Sequence, residues 1–385
     1  MQDPSRAKGS GKTSSGSFDM RDWLDPRRVT VIMWDHAFLT RHMKGDSFED
    51  YDKVLSEAAE RGYNTLRLDP MPQVIALDRP ETVLTRPPTV SKPELFPWER
   101  AQAFEGPAGV WLIEFMEKVL QKGFCYCLSA WNGKWETGAK PENLHELTNR
   151  WIPFLHKWRE RFGFEKCLYV DLSNEYPYFL NGHLKRTIRE YNGRWSPEWN
   201  EFIKQEVNGC LKEMRREFPE VRFMVSLHGD VRWIDLDLEL DVMDVHFYSD
   251  ADPRFTGRTL FDKHVPELFT TDAFFKGFSD RCVASHKIMA PMYRAQQRSK
   301  LAAFSAWSGE YGIPLTTSES WASWYYLDHK DLDWSWLLEW AEWSVEDAIE
   351  YGMWGWTPHN YCQPQFANWK DVKWHRKLTD KFLKS

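Results

Sequence analysis

LYVDLSNE, residues 168–175, reads as a strand with two unlike faces. Successive strand side chains point to opposite sides, so Leu168, Val170 and Leu172 share one face and Tyr169, Asp171, Ser173 and Glu175 the other. A parallel strand covered on both sides is ordinarily a near-continuous apolar run. Here one face is polar and ends in a carboxylate. The pattern recurs. In DVMDVHFY, 241–248, Met243, Val245 and Phe247 oppose Val242, Asp244, His246 and Tyr248. In NTLRLD, 64–69, Leu66 and Leu68 oppose Thr65, Arg67 and Asp69. In VRFMVSLH, 221–228, the apolar face opposes one that ends in Ser226 and His228. The apolar faces should pack on outer helices and the polar faces should point into a closed interior.

Working outward, strand-like runs occur at 29–34, 64–69, 124–130, 168–173, 221–227, 242–248, 313–318 and 351–356. Helical patterns separate most of them, at 47–61, 109–122, 143–162, 197–218, 292–309 and 334–350, and a last one at 372–383 follows the eighth strand. Alternating strands and helices imply a parallel sheet. Eight such units predict an α/β fold, a (β/α)8 TIM barrel, and no Gly-rich dinucleotide fingerprint follows the first strand to favour a doubly wound sheet. The fifth crossover, 230–240, is too short for a full helix and is expected to be a turn or short helical piece. The strand-to-helix loops 70–107, 176–196 and 249–272 are long, whereas the returns are short. In a barrel the functional face is the one at the strands' C-terminal ends. Such loops predict a walled pocket or short cleft there.

Residues 1–17 are rich in Gly, Ser and Lys and lack the apolar segment of a signal peptide. Residues 1–20 are therefore expected to be a disordered tail or cloning remnant, and 21–385 a single catalytic domain. Mature secreted, periplasmic and cytoplasmic locations all remain open. A net charge of −7 argues against a nucleic-acid or anionic-membrane partner. No apolar run approaches the roughly 20 residues needed to span a bilayer. The six cysteines have no metal-ligand spacing and no C-x-x-C pair; Cys125 and Cys127 point to one face of a strand and read as free thiols. No cofactor or metal is expected. The 22 Trp, 14 Tyr and 24 Phe point to a carbohydrate partner, since pyranose C–H patches lie flat on aromatic faces.

Two carboxylates stand at strand ends: Glu175 in SNEYPYF closes the fourth, and Glu319 in TTSESW closes the seventh. Glycoside hydrolysis needs two carboxyl groups flanking the scissile bond. With these residues in place, the chain resembles clan A glycoside hydrolases, and most closely the family 5 cellulase-like group, over nearly all of 29–360. The resemblance implies Glu175 as acid/base and Glu319 as nucleophile of a retaining enzyme that cleaves a β-glycosidic bond. It implies that Asn174 holds a sugar hydroxyl, that Arg67 steadies the nucleophile, that His246 and Tyr248 form the sixth-strand pair with the tyrosine hydroxyl on the nucleophile, and that Trp356 floors the sugar site. The group often carries a His just past strand three. Ser129-Ala130-Trp131-Asn132 stands there instead, so Trp131, Asn132 and His228 are candidates for substitute contacts.

Arg67 and the Tyr248 hydroxyl are expected to keep Glu319 ionised, and apolar walls such as Tyr176 to keep Glu175 protonated. Trp321, Trp324, Tyr325, Tyr326, Trp354, Tyr361, Tyr178 and Trp195 are expected around the cleft, about half of them on sugar. Three other readings remain. A transglycosylase would use the same site. A non-catalytic carbohydrate-binding barrel would keep the aromatics without needing both acids. A metal hydrolase would use His246, His228 and Asp69, but no dense ligand motif supports it.

Overall fold

The computed structural model describes residues 28–86, 103–131, 141–180, 182–249, 252–260 and 274–385. The tail 1–20, Asn132 and most of the loop 249–272 lie outside the described residues.

Eight barrel strands follow in order. β1 is Val29–Met33, β2 Thr65–Leu68, β3 Cys125–Ser129 and β4 Cys167–Asp171. β5 comes in two pieces, Phe223–Met224 and Leu227–His228. β6 is Met243–Tyr248, β7 is again two pieces, Leu315–Thr316 and Ser320–Trp321, and β8 is Gly355–Trp356. Each pairs in parallel with its neighbours: β8 with β1, then β1 through β5, then β5 with β6 and β6 with β7. The ring closes where Trp354 N donates to Leu315 O at 2.8 Å and Thr317 N to Gly355 O at 3.2 Å. This is the (β/α)8 TIM barrel.

The two broken strands have a common cause. In β5, the Ser226 amide leaves the ladder and donates to Asp171 Oδ1 at 2.9 Å. In β7, the Ser318 amide donates to Asp244 Oδ1 at 2.9 Å. Buried aspartates thus replace main-chain partners, and both bends lie beside the candidate acids.

The outer helices form where the apolar spacing is helical. Leu144–Phe162 buries Leu144, Leu147, Trp151, Phe154, Leu155 and Trp158 on one stripe, and Asn143 caps it by accepting from Glu146 N. Trp151 and Trp158 are wholly buried, and cutting either to alanine should cost about 3–5 kcal/mol. Pro197–Glu217 begins with a Ser196 cap and proline in its first turn. The expected helix at 292–309 is longer: Phe275–Tyr311 runs 37 residues through Pro291. Proline removes one ladder donor. Packing overrides this loss, since Phe255, Phe275, Phe278, Tyr293, Trp336 and Trp340 form a second aromatic core around the helix's first half. Helices His183–Glu190 and Pro253–Thr259 occupy stretches expected to be irregular, and the fifth crossover is a single 3-10 turn, Val231–Leu236. All six cysteines are free thiols, five of them buried. No helix among the described residues is long and apolar enough to cross a membrane.

Gly355 sits where β8 closes the ring, and a Cβ there would overlap the Thr316 side chain and come within 2.7 Å of Val29 Cγ2. Gly355→Ala is expected to destabilise the protein by about 1–3 kcal/mol, the usual cost of overpacking. Urea unfolding checks this; an unchanged midpoint would mean that closure tolerates the extra carbon.

Candidate active site

The barrel interior is polar because strands β2, β3, β4 and β6 turn Arg67, Ser129, Asp171 and Asp244 inward, all of them buried. Arg67 is the hub. Its Nε lies 3.2 Å from Asp35 Oδ1 and its Nη1 3.6 Å from Glu319 Oε1. Nη1 donates to Ser318 Oγ at 3.2 Å, and Nη2 to Asn174 Oδ1 at 2.5 Å. Ser129 donates to Asp171 Oδ2 and Tyr169 to Asp244 Oδ2. Burial would strip Arg67 of its proton, but Asp35, Glu319, Asp244 and Asp171 outweigh it and hold the guanidinium charged. Asp35 gains less from the exchange. Burial, with Glu319 and Asp69 nearby, lifts its carboxyl to about 8 despite Arg67, whose charge is shared with Glu319.

Glu319 and Glu175 meet at His246. The ring Nδ1 lies 2.7 Å from Glu319 Oε1 and 3.1 Å from Glu175 Oε1, and Nε2 lies 3.7 Å from Asp244 Oδ1. One oxygen from each glutamate and a ring nitrogen of His246 all fall within 4.8 Å of one another. Burial opposes charge on both His246 and Glu319. The charge of Glu319 and hydrogen bonds to both acids nevertheless raise His246 to about 10. The charges of His246 and Arg67, with hydrogen bonds from His246 and the Asn174 amide, hold Glu319 down at about 2. Near neutrality the pair is imidazolium and carboxylate. The same three atoms are close enough to hold a metal ion, and binding one would have to displace the proton from His246. His246, His228 and Asp69 do not gather as a ligand set among the described residues.

The sign of the pH effect follows. The folded pKa of His246 is raised, so its contribution to stability is complete below about 6.5 and is lost as pH rises towards 10. His246→Gln is therefore expected to be most destabilising relative to wild type near pH 6, with the gap narrowing towards pH 10. Urea midpoints across that range check it, and a constant gap would contradict it. Glu319 works in the opposite direction: its contribution is present above 4.5 and is lost as pH falls towards 2.

Glu175 has φ +45°, the left-handed region, which costs a non-glycine residue about 1–3 kcal/mol. It is held there by its own amide donating to Ser226 Oγ at 2.8 Å and its carbonyl accepting from Tyr178 N at 2.9 Å.

Several sequence expectations need correction. Trp356 does not floor the site: it is wholly buried, donates to Ser344 Oγ at 2.9 Å and packs 5.8 Å from Phe382, between strand and helices. Trp321 is likewise core, stacked 5.5 Å from Phe247 with its indole on Thr357 O. Tyr248 OH accepts from Asn360 Nδ2 at 2.7 Å, and no hydrogen bond joins it to Glu319 among the described contacts. Asn174 is wholly buried, with its carbonyl oxygen accepting from Arg67 and its amide directed at Glu319. Tyr176 does not wall Glu175: its hydroxyl turns away to His183 and Glu206.

Trp131 does reach the site, its ring 5.8 Å from the Arg67 guanidinium, and its amide donates to Asp69 Oδ2 at 3.1 Å. His228 lies opposite His246 in register and 5.7 Å from the Tyr178 ring. Of the other expected lining residues, Tyr325, Tyr326, Trp354 and Tyr361 are buried in packing, Trp195 and Tyr178 are half-buried, and Trp324 is exposed. Asp35 and Asn360 were missed, and Ser226 was placed on the inward face without its role beside Glu175. Asp35 carried a faint signal, because it lies two residues beyond Met33 on the same alternating face.

A family profile described as sugar-binding cellulase-like matches residues 31–383. No curated protein matches the chain. Among solved structures, a proposed glycoside hydrolase from Parabacteroides distasonis is 24% identical, with a TM-score of 0.75 over 92% of this chain and 93% of that one. The cellulose synthase subunit Z of Clostridioides difficile is 10% identical, with a TM-score of 0.52 over 92% and 99%. An endocellulase from Pyrococcus horikoshii is 12% identical, with a TM-score of 0.50 over 92% and 93%. These likenesses speak for the fold.

Proposed function

The chain belongs to the sugar-binding cellulase-like family, and from that premise we propose that it is a retaining glycoside hydrolase that cleaves a β-glycosidic bond in an oligo- or polysaccharide. The observation that carries the proposal is the approach of Glu175 and Glu319, with oxygens inside 4.8 Å and His246 touching both. Retaining enzymes place the two carboxyl groups about 5–5.5 Å apart, and inverting ones leave roughly 6.5–9.5 Å for a water molecule. The short spacing favours direct attack.

In the first step Glu319 attacks the anomeric carbon while the Glu175 proton passes to the departing oxygen. In the second, Glu175 takes a proton from water, which attacks the same carbon and releases Glu319. Arg67 and His246 keep Glu319 ionised, as a nucleophile requires. The mechanism requires Glu175 to carry the proton it delivers while Glu319 is ionised.

Turnover across a panel of aryl β-glycosides and polysaccharides tests the activity. The pH profile of kcat/KM should be bell-shaped, reporting the coupled acids as a pair. Glu175→Gln should lose the basic limb on substrates with good leaving groups. A basic limb that survives in this variant would remove Glu175 from the acid role.

A further inference from the structure

The groups beyond Glu175 form a second, basic region. Tyr178, three residues after Glu175, lies with its ring 5.7 Å from His228 and 4.8 Å from the Arg194 guanidinium. Arg194 is also 4.7 Å from the ring of Trp195 and so is held between two aromatic faces. Its Nε and Nη2 are shielded from water and have no acceptor among the described residues. Lys300, half-buried on the long helix Phe275–Tyr311, lines a small cavity with Tyr248, Ser249 and Asp252.

Neither cation forms a close ion pair among the described residues, although the charges of Asp252 and Asp230 act on Lys300 and that of Asp230 on Arg194. Asp230 is clasped by Arg232 at 3.0 and 2.5 Å, and Asp252 by Arg254 at 3.0 and 2.9 Å. Among the described residues, no carboxylate lies within ion-pair distance of Arg194 or Lys300. Half-buried cations without a close partner are costly, and they favour an anion from outside. Burial lowers the pKa of His228; the charges of His246, Lys300 and Arg194 add to this, and Glu175 opposes it. His228 therefore sits within reach of both cations.

The position of this region follows from the chemistry. The acid that protonates the departing oxygen stands on the leaving-group side of the scissile bond. Tyr178 and His228, whose titration is affected by the charge of Glu175, are the neighbours of that acid from which such a side would be built. We infer that Arg194 and Lys300, with Tyr178 and His228 between them and Glu175, form a leaving-group subsite for a sugar bearing an anionic group, a carboxylate or a sulfate ester. The inference rests on the glycosidase reading, since it takes its sense of direction from Glu175.

The test compares aryl β-glycosides of whichever sugar the wild type turns over. The 4-nitrophenyl glycoside is the neutral probe. The anionic probes carry a carboxylate or a sulfonate meta to the phenolic oxygen of the same nitrophenyl group, to keep its acidity close. Wild type is expected to prefer an anionic probe in kcat/KM by about tenfold, with the preference shrinking as salt is added. Arg194→Gln and Lys300→Gln should each reduce the anionic-to-neutral ratio about threefold, and the double variant should bring it near unity. Arg298→Gln, on a helix face paired with Asp347 and Glu350, should leave the ratio and the rate unchanged. Comparing the two anionic arms tells carboxylate from sulfate. Hydrolysis of the neutral probe without an anionic preference overturns the subsite alone, as does a preference that survives in the double variant. No hydrolysis of any aryl glycoside overturns the glycosidase reading and this inference together.

Discussion

Glu319→Gly is expected to lower kcat/KM by on the order of 10⁵-fold, the scale of losing a covalent nucleophile. The protein should stay folded. The deletion removes one negative charge from between His246 and Arg67, and Asp35 is placed to answer it. Burial and the Glu319 charge push the pKa of Asp35 up, whereas Arg67 pulls it down. Without Glu319, Arg67 at 3.2 Å pairs with Asp35 alone, and Asp35 can ionise. The vacated space is bordered by two cations and should admit a small anion. Azide or formate should restore turnover of an activated substrate, and azide should yield a glycosyl azide of inverted configuration. Glu175→Ala should differ: it should spare glycosylation from good leaving groups, and azide should give a product of retained configuration. Failure of every small anion to rescue a folded Glu319→Gly protein would count against Glu319 as nucleophile.

The second large effect belongs to Arg67. Arg67→Met keeps most of the volume and removes a charge that Asp35 and Glu319 share. Breaking one side of a buried ion network costs about 3–5 kcal/mol, because the partners remain as uncompensated charges. The melting temperature should fall by about 4–6 °C. Activity should fall by about 10²–10³-fold, since Glu319 loses a preorganised cation. The loss of stability should be smaller at low pH, where the carboxyls are protonated. Arg67→Lys restores the charge but not the fork that reaches Ser318 and Asn174 together, so it should recover only part of both losses. An Arg67→Met protein as stable as wild type, with the same pH dependence, would show that the network is not held by this charge.

Much of this arrangement was legible because strand side chains alternate. Arg67, Asp171, Asp244 and His246 could be assigned to the interior from period two alone, and Glu175 and Glu319 follow as strand-end acids. The same rule argues against the floor role for Trp356. Gly355 takes the crowded place beside Thr316 and Val29, and the next residue must face the helices, where Ser344 and Phe382 meet it. The family likeness placed the residue by position, and local geometry places it elsewhere.

What stayed hidden depends on pairing between distant segments. Ser226 supports Glu175 only because β4 and β5 align Asp171 with Met224, and Asn360 reaches Tyr248 only through the loop after β8. The first half of the long helix was not read, because what holds it through Pro291 is a second aromatic core assembled from distant segments. Buried Trp321, Trp354 and Tyr361 show why aromatic abundance alone does not mark a sugar cleft: the same rings serve packing.

The most direct measurement is proton NMR of the first product released by the wild-type protein, recorded before mutarotation. Double displacement through Glu319 predicts that the initial anomer keeps the substrate's β configuration. An initial α anomer would contradict it and would make Glu319 a base that acts through water, whatever its distance from Glu175.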